Sequence, residues 1–224
     1  MKAIVLANGP FPCRDELRKA LLRVPTLVCC DGAFRRLVDD GLFEHAATLP
    51  AIYVVGDGDS LPAALRDKPP LPATFVGKDS DQETNDLTKA VRFALGLGVT
   101  QMLIMGATGL REDHTLGNIG LLPLYSGLKT AQGEPLYVRM YTDFGFFTPL
   151  RASATLPSFA GQQVSFFVLQ GSPLLTVRGL KYPINRRRFT QLWEATLNEA
   201  LGPAFDIELE GEGCVLVYQT HDAK

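Results

Sequence analysis

Val54-Val55-Gly56-Asp57-Gly58-Asp59-Ser60 is an apolar run that stops at a glycine and gives way at once to two aspartates one residue apart. Such a run reads as a buried strand that delivers carboxylates at its C-terminal end. In open α/β sheets that edge is where ligands bind. Two carboxylates this close repel each other unless a cation lies between them or one is protonated. A hard, oxygen-seeking ion such as Mg²⁺, shared with substrate phosphates, would satisfy them. The same residues also fit an Asp-Gly-Asp-Ser turn in which short polar side chains bond their own backbone. The flanking chain has to decide between the two.

Upstream, Ala3 to Ala7 is a second apolar run, ended by Asn8-Gly9-Pro10, and Leu17, Ala20 and Leu21 follow at helical spacing. Thr26 to Cys30 is a third run, ended by Asp31-Gly32, with a helix through Phe34, Leu37 and Val38 closed by Gly41. Downstream, a proline-rich stretch and a weak strand at Thr74 to Val76 precede Leu87, Ala90, Val91, Ala94 and Leu95, the stripe of a core-facing helix. Gln101 to Met105 is another buried strand, followed by a glycine-rich loop and a helix after Asp113 carrying Leu116, Ile119, Leu121 and Leu122. Strands and helices alternating in this way predict an α/β domain with a doubly wound, mostly parallel sheet. The pattern changes at the polar connector Thr130 to Pro135. Beyond it lie short β-rich runs, among them Leu136 to Phe144, Gln163 to Leu169, Leu174 to Val177, Phe205 to Leu209 and Cys214 to Tyr218, with one helix expected near Arg187 to Glu194. The expected division is 1–132 as the α/β domain and 133–224 as an antiparallel sandwich or barrel-like β domain.

The chain has 224 residues, 46% of them hydrophobic and 21% charged, and a net charge of −2. That is ordinary globular composition, with no overall basic surface to attract nucleic acid or an anionic membrane. No run approaches the ~18 apolar residues of a membrane span. Cys13, Cys29, Cys30 and Cys214 form no C-x-x-C pair, which argues against structural zinc or a disulfide framework and for a reducing, cytoplasmic setting.

Acids cluster where the parallel strands should end: Asp31, the Asp57/Asp59 pair, Asp81 with Asp86, and Asp113. Loops from several strands of one parallel sheet meet along one edge, so these carboxylates are candidates for a shared metal–phosphate site. Each also has a local reading. Asp31 is placed to cap the following helix; Ser80 and Glu83 fit a capping box, which would leave Asp81 as a first-turn acid; Asp113 is either a ligand or an N-cap. Gly106-Ala107-Thr108-Gly109-Leu110-Arg111-Glu112-Asp113-His114 runs from strand to helix start, a geometry that offers backbone N–H groups to phosphate. Arg111 adds a fixed positive fork.

Taken together, Asp31-Gly32-Ala33, Gly56 to Ser60, Asp81 to Lys89, and Gly106 to His114 with Asn118 resemble the motifs of the thiamine pyrophosphokinases in order and spacing. The resemblance implies Mg²⁺-dependent transfer of diphosphate from ATP to the hydroxyl of thiamine, an ATP-binding first domain, a thiamine-binding second domain, and a homodimer with active sites at the subunit interface. By motif position it implies Asp57, Asp59, Asp81 and Asp86 as metal ligands and, with Arg111, as catalytic residues. It assigns ATP binding to Asp31, Gly32, Ser60, Gly106, Thr108, Gly109, Arg111 and Asp113. Gln82 corresponds to a thiamine-contacting glutamine. Gly179-Leu180-Lys181-Tyr182-Pro183 and Ala195-Thr196-Leu197-Asn198-Glu199 resemble two substrate-binding segments, implying thiamine contacts from Tyr182, Thr196 and Asn198. The chain departs from the family pattern where Tyr182 replaces tryptophan, Leu197 replaces serine and Leu110 replaces glycine. A related diphosphotransferase acting on another alcohol, such as a hydroxymethylpterin, would share the same acids. A non-catalytic nucleotide or thiamine sensor would be expected to have lost some of them, and all the key ones are present.

Overall fold

Lys2–Leu6 (β1) and Thr26–Cys30 (β2) are almost wholly buried apolar strands, the pattern of a parallel sheet covered on both faces. In the computed structural model, which describes residues 1–59, 61–77 and 84–223, they lie at the centre of one compact unit made of 1–119 and 128–143. Its other elements are α1 (Asp15–Arg23), α2 (Asp31–Asp40), β3 (Ala51–Val55), α3 (Ala63–Asp67), β4 (Ala73–Val76), α4 (Asp86–Gly96), β5 (Gln101–Met105), α5 (Glu112–Gly120) and β6 (Tyr137–Tyr141). The strands pair in the order β6-β5-β1-β2-β3-β4, all parallel. The chain steps outward from β1 to β4, and α4 then brings it back across β3, β2 and β1 to β5. The direction of winding therefore reverses between β1 and β5. Right-handed crossovers place the helices of the two halves on opposite faces, which is the doubly wound sheet expected. The strand Tyr137–Tyr141, grouped by sequence with the β-rich half, instead pairs in parallel with β5, and the first unit reaches Asp143 rather than ending at 132. A buried alternating strand looks alike in either kind of sheet, so only its partner decides.

Two helices differ from expectation. The stripe of α4 is buried at Leu87, Ala90, Val91 and Ala94 as read, but its cap is Asn85, whose Oδ1 accepts from Thr88 N–H at 2.9 Å. Asp86 is thus the first helical residue. The helix expected to carry Leu116 through Leu122 breaks at Leu121 into α5 and α6 (Leu122–Gly127), and Leu116 is exposed. Gly117 and Gly120, with no side chain to bury, leave α5 without a fully buried residue.

The second unit comprises 120–127 and 144–224. Its strands are β7 (Gly145–Leu150), β8 (Ala154–Pro157), β9 (Gln162–Gly171), β10 (Leu174–Arg178), β11 (Ile184–Arg187), β12 (Asn198–Glu199), β13 (Ala204–Glu210) and β14 (Gly213–Ala223). They pair antiparallel as β12-β9-β14-β7 and as β11-β10-β13-β8. Val164, Phe166, Val215 and Val217 of one set share a core with Leu175, Val177, Phe205 and Ile207 of the other. This is a β sandwich. The helix expected at Arg187 to Glu194 is absent. The Glu194 carboxylate takes the N–H groups of Thr190 and Gln191 at 2.7 and 2.9 Å, folding the segment into a turn. Phe189 goes into the core while Trp193 stands 74% exposed. All four cysteines are free thiols, and of these Cys13 alone is exposed.

Candidate active site

A crevice of 370 Å³ opens at the C-terminal ends of β1 and β5, where the winding reverses, and Asn8, Gly32, Asp86, Gly106, Thr108 and Arg111 are among the residues lining it. This is the position predicted for ligands in an open α/β sheet, and the volume suits a small molecule (roughly 300–1,000 Å³). The floor is backbone packed on backbone. Gly9 N–H donates to Gly106 C=O at 2.7 Å, and Ala7 N–H to Met105 C=O at 2.8 Å. A Cβ on Gly9 would sit 2.2 Å from the Gly106 oxygen, and one on Gly106, at φ +67°, would sit 2.7 Å from the Ala7 oxygen. Asn118 of α5 ties in the second loop by donating its Nδ2–H to Ala107 C=O at 2.8 Å. Asp143 holds the far end of the first loop, its Oδ1 accepting from Cys13 and Arg14 N–H at 2.9 and 3.0 Å.

The acids gather one strand further along. β2 passes into α2 with no intervening loop: Cys30 is the N-cap, without a side-chain cap bond, and Asp31 is the first helical residue. The capping reading of Asp31 is therefore excluded. Its side chain is buried against Gly56 at the end of β3, where a Cβ would fall 2.6 Å from that of Asp31. Asp86 arrives from α4 and pairs with Lys89 at 3.7 Å. Both acids act on one group. Burial first, and then the negative charges of Asp86 and Asp31, push the Cys30 thiol well above its ordinary range. Asp57 lies in an adjoining crevice with Lys89 and Arg92. Its Oδ1 accepts from Asp59 N–H at 3.1 Å across Gly58, at φ +83°, so the Asp-Gly-Asp turn read from the sequence does form. Turn and ligand roles are compatible, since both carboxylates remain exposed. Ser60, Asp81 and Gln82 lie outside the described residues. Among those described, no group of three acidic, histidine or cysteine side chains is closed enough to hold a metal. The donor type nonetheless suits Mg²⁺, which takes oxygen ligands, commonly one or two carboxylates completed by phosphates and water.

On the β5 side, Arg111 makes a two-pronged pair with Asp113, Nε to Oδ1 at 3.1 Å, both side chains being largely exposed. That pair, with the His114 N–H to Asp113 Oδ1 at 2.8 Å, lowers the Asp113 carboxyl to about 2. Asp113 is the second residue of α5 and serves neither as its cap nor among the residues lining the crevice. Both partners stay in water, and exposed pairs of this kind hold only weakly. Gly109 is turned away: its N–H donates to Thr115 Oγ1 at 3.3 Å.

In the sandwich, the amide of Asn198 is engaged at both its oxygen and its nitrogen. Its Oδ1 accepts from Tyr182 and Glu199 N–H at 3.1 and 2.9 Å, and its Nδ2 donates to Tyr182 C=O at 2.7 Å. It fixes the backbone under Tyr182, a residue that is 62% exposed. The Thr196 hydroxyl donates to Trp193 C=O at 2.9 Å, and Leu197 adopts φ +61° with its side chain exposed. Sequence reasoning passed over Asn8, Gly9 and Arg36 as site residues, and treated Asn8-Gly9 only as a strand end. The same polar–glycine pair after an apolar run had been informative at Asp31-Gly32, so the signal was present.

Comparison with known proteins agrees with this architecture. The family model described as thiamin pyrophosphokinase, catalytic domain, matches residues 17–131, and the one described as its substrate-binding domain matches 145–218. A thiamine pyrophosphokinase 1 of rice is 32% identical over 148 residues, which cover 57% of this chain and 53% of that protein. The chain thus spans about half the length of that curated relative. Among solved structures, thiamine pyrophosphokinase of Bacillus subtilis superposes with a TM-score of 0.75 at 22% identity, covering 99% of this chain and all of that one. The Candida albicans enzyme gives 0.81 at 15% identity, covering 99% and 90%. The structures share the fold, and the two family models fall in succession on the two halves of the sequence: the chain belongs to the thiamin pyrophosphokinase family.

Proposed function

We propose that this protein transfers the terminal diphosphate of ATP to the hydroxyl of thiamine, forming thiamine diphosphate and AMP. The observation that carries this reading is the juxtaposition, at one sheet edge, of a switch-point crevice floored by Gly9 and Gly106 with the carboxylates of Asp31, Asp57 and Asp86. The crevice receives the nucleotide. Thr108, Gly106 and Arg111 contact its phosphates, Gly32 and Asp31 line its β2 side, and Ser60 and Asp113 contribute by motif position. Asp57, Asp59 and Asp86, with Asp81 by motif position, would hold Mg²⁺, which when bound supplies positive charge to the phosphate oxygens. Transfer of this type depends on placement and charge neutralisation rather than covalent help. Asp86 or Asp81 orients the attacking hydroxyl and takes its proton, and Arg111 leaves Asp113 to meet charge developing on the leaving phosphate.

Thiamine lies against Tyr182, with Gln82 and Thr196 supplying polar contacts and Asn198 acting through the Tyr182 backbone. A cytoplasmic homodimer whose active sites form at the subunit interface belongs to the same reading. The exposed apolar side chains of Tyr182, Trp193, Leu197 and Leu201 support it. The test is incubation with ATP, Mg²⁺ and thiamine, following AMP and thiamine diphosphate by chromatography. AMP appearing only when thiamine is present supports the reading; no AMP, or AMP released equally without thiamine, overturns it. A hydroxymethylpterin in place of thiamine tests the related diphosphotransferase.

A further inference from the structure

Arg36 lines the switch-point crevice and belongs to none of the motifs that carry the reading above. It is half-buried on α2, one turn after Gly32. Its Nε–H donates to Asn8 Oδ1 at 3.0 Å. Asn8 in turn lies flat on Gly32, where a Cβ would come within 2.3 Å of Nδ2, so the bare glycine is what lets Asn8 occupy this place. The partner of Arg36 is therefore an amide oxygen, which orients the guanidinium without cancelling its charge. Other arginines of this unit meet carboxylates: Arg111 meets Asp113, Arg18 meets Asp40, and the adjacent Arg35 meets Asp39. Among the described residues Asn8 is the hydrogen-bond partner of Arg36, and no carboxylate pairs with it. With Nε fixed, the two terminal nitrogens form a fork suited to two oxygens of one phosphate.

We propose that Arg36, positioned by Asn8, binds a phosphate group of the nucleotide in the crevice. The assignment rests on the nucleotide reading above for the identity of its ligand, but its chemistry is that of any phosphate oxygen pair. Calorimetric binding of ATP, pyrophosphate and adenosine to wild type, Arg36→Gln, Arg36→Lys and Asn8→Asp tests it, with thermal unfolding of each. Loss of a charge-assisted contact should weaken ATP and pyrophosphate about 10- to 100-fold in Arg36→Gln and leave adenosine unchanged. Lysine should restore only part, because a point charge does not replace the fork. Asn8→Asp keeps the size and the acceptor but adds a counter-ion. It should weaken ATP as much as Arg36→Gln does, with an unfolding temperature equal to or above wild type; a purely structural Asn8 would leave binding intact in that variant. Wild-type affinity for ATP and pyrophosphate in both Arg36→Gln and Asn8→Asp overturns the proposal. Pyrophosphate binding that depends on Arg36, in a protein that makes no thiamine diphosphate, would uphold it while removing the thiamine reading. Failure of wild type to bind either phosphate ligand removes both.

Discussion

Gly9→Ala isolates the crevice floor from every other variable. Gly9 is not among the glycines with positive φ, so alanine meets no conformational barrier there. The obstacle is backbone: the new Cβ would lie 2.2 Å from the Gly106 oxygen and 3.0 Å from that of Thr108. Carbon–oxygen contacts below 3.0 Å do not persist, so the two loops must part by about 0.8 Å at the nearest atom. The same displacement stretches the 2.7 Å bond from Gly9 N–H to Gly106 C=O toward the ~3.5 Å limit where a hydrogen bond is lost. One backbone bond costs about 1 kcal/mol and overpacking a further ~1–3 kcal/mol. At ~2–4 °C per kcal/mol for a chain of this size, the melting temperature should fall by roughly 5–15 °C. Because the crevice walls themselves separate, nucleotide affinity should fall alongside. Calorimetric melting and ATP binding on the purified variant measure both. A Gly9→Ala protein that melts within about 2 °C of wild type and binds ATP normally would refute the close-packed floor.

Asp57→Asn should reduce thiamine diphosphate formation by about 100-fold or more while leaving the melting curve in place, because the carboxylate is exposed; near-normal turnover would remove Asp57 from the metal set. The Asp113 carboxyl, held to about 2 by Arg111, contributes stability above its ordinary value of 3.8 and loses that contribution as pH falls through about 2. In Arg111→Gln its NMR titration midpoint should move upward, and an unmoved midpoint would contradict the pairing. Asn198→Ala removes three bonds to the backbone from a buried site and should cost about 2–4 kcal/mol in denaturant unfolding. Gly117→Ala, with nothing within 4 Å of the added Cβ and a helical position, should instead stabilise by ~0.5–1 kcal/mol in the same assay.

What could be read from the sequence follows how local each signal is. β1, β2, β3 and β5 come from apolar runs closed by a polar residue or glycine, and all four formed within a residue of where they were read. The α4 stripe was legible because its five apolar positions share one periodicity, and four of them, Leu87, Ala90, Val91 and Ala94, are buried. Tyr137–Tyr141 was not, since the choice between parallel and antiparallel partners lies in residues far along the chain. Phe189, Leu192 and Trp193 repeat at helical spacing, yet one carboxylate, Glu194, recruits the backbone donors and makes a turn. In the site, carboxylate type and order were visible at Asp31, Asp57 and Asp86. The Asn8–Arg36 pair depends on two strands and a helix meeting, which no spacing announces. The commitment of Asn198 to backbone was equally hidden, for a motif names a side chain but not the partner it finds.

The distribution of thiols has a practical consequence. Cys29 and Cys30 are neighbours on one strand, so their side chains leave opposite faces of the sheet, and burial disfavours the thiolate of each. Cys214 is buried on the other face of β14, beside Ser126 of α6, and burial likewise raises its thiol. Electrophiles need a thiolate that they can reach. Labelling chemistry on the native protein is thereby directed to Cys13, at the end of the loop that leaves β1 and walls the crevice. The chain carries a natural single attachment point for a fluorophore or spin probe beside its candidate nucleotide site, with no cysteine to engineer in or out.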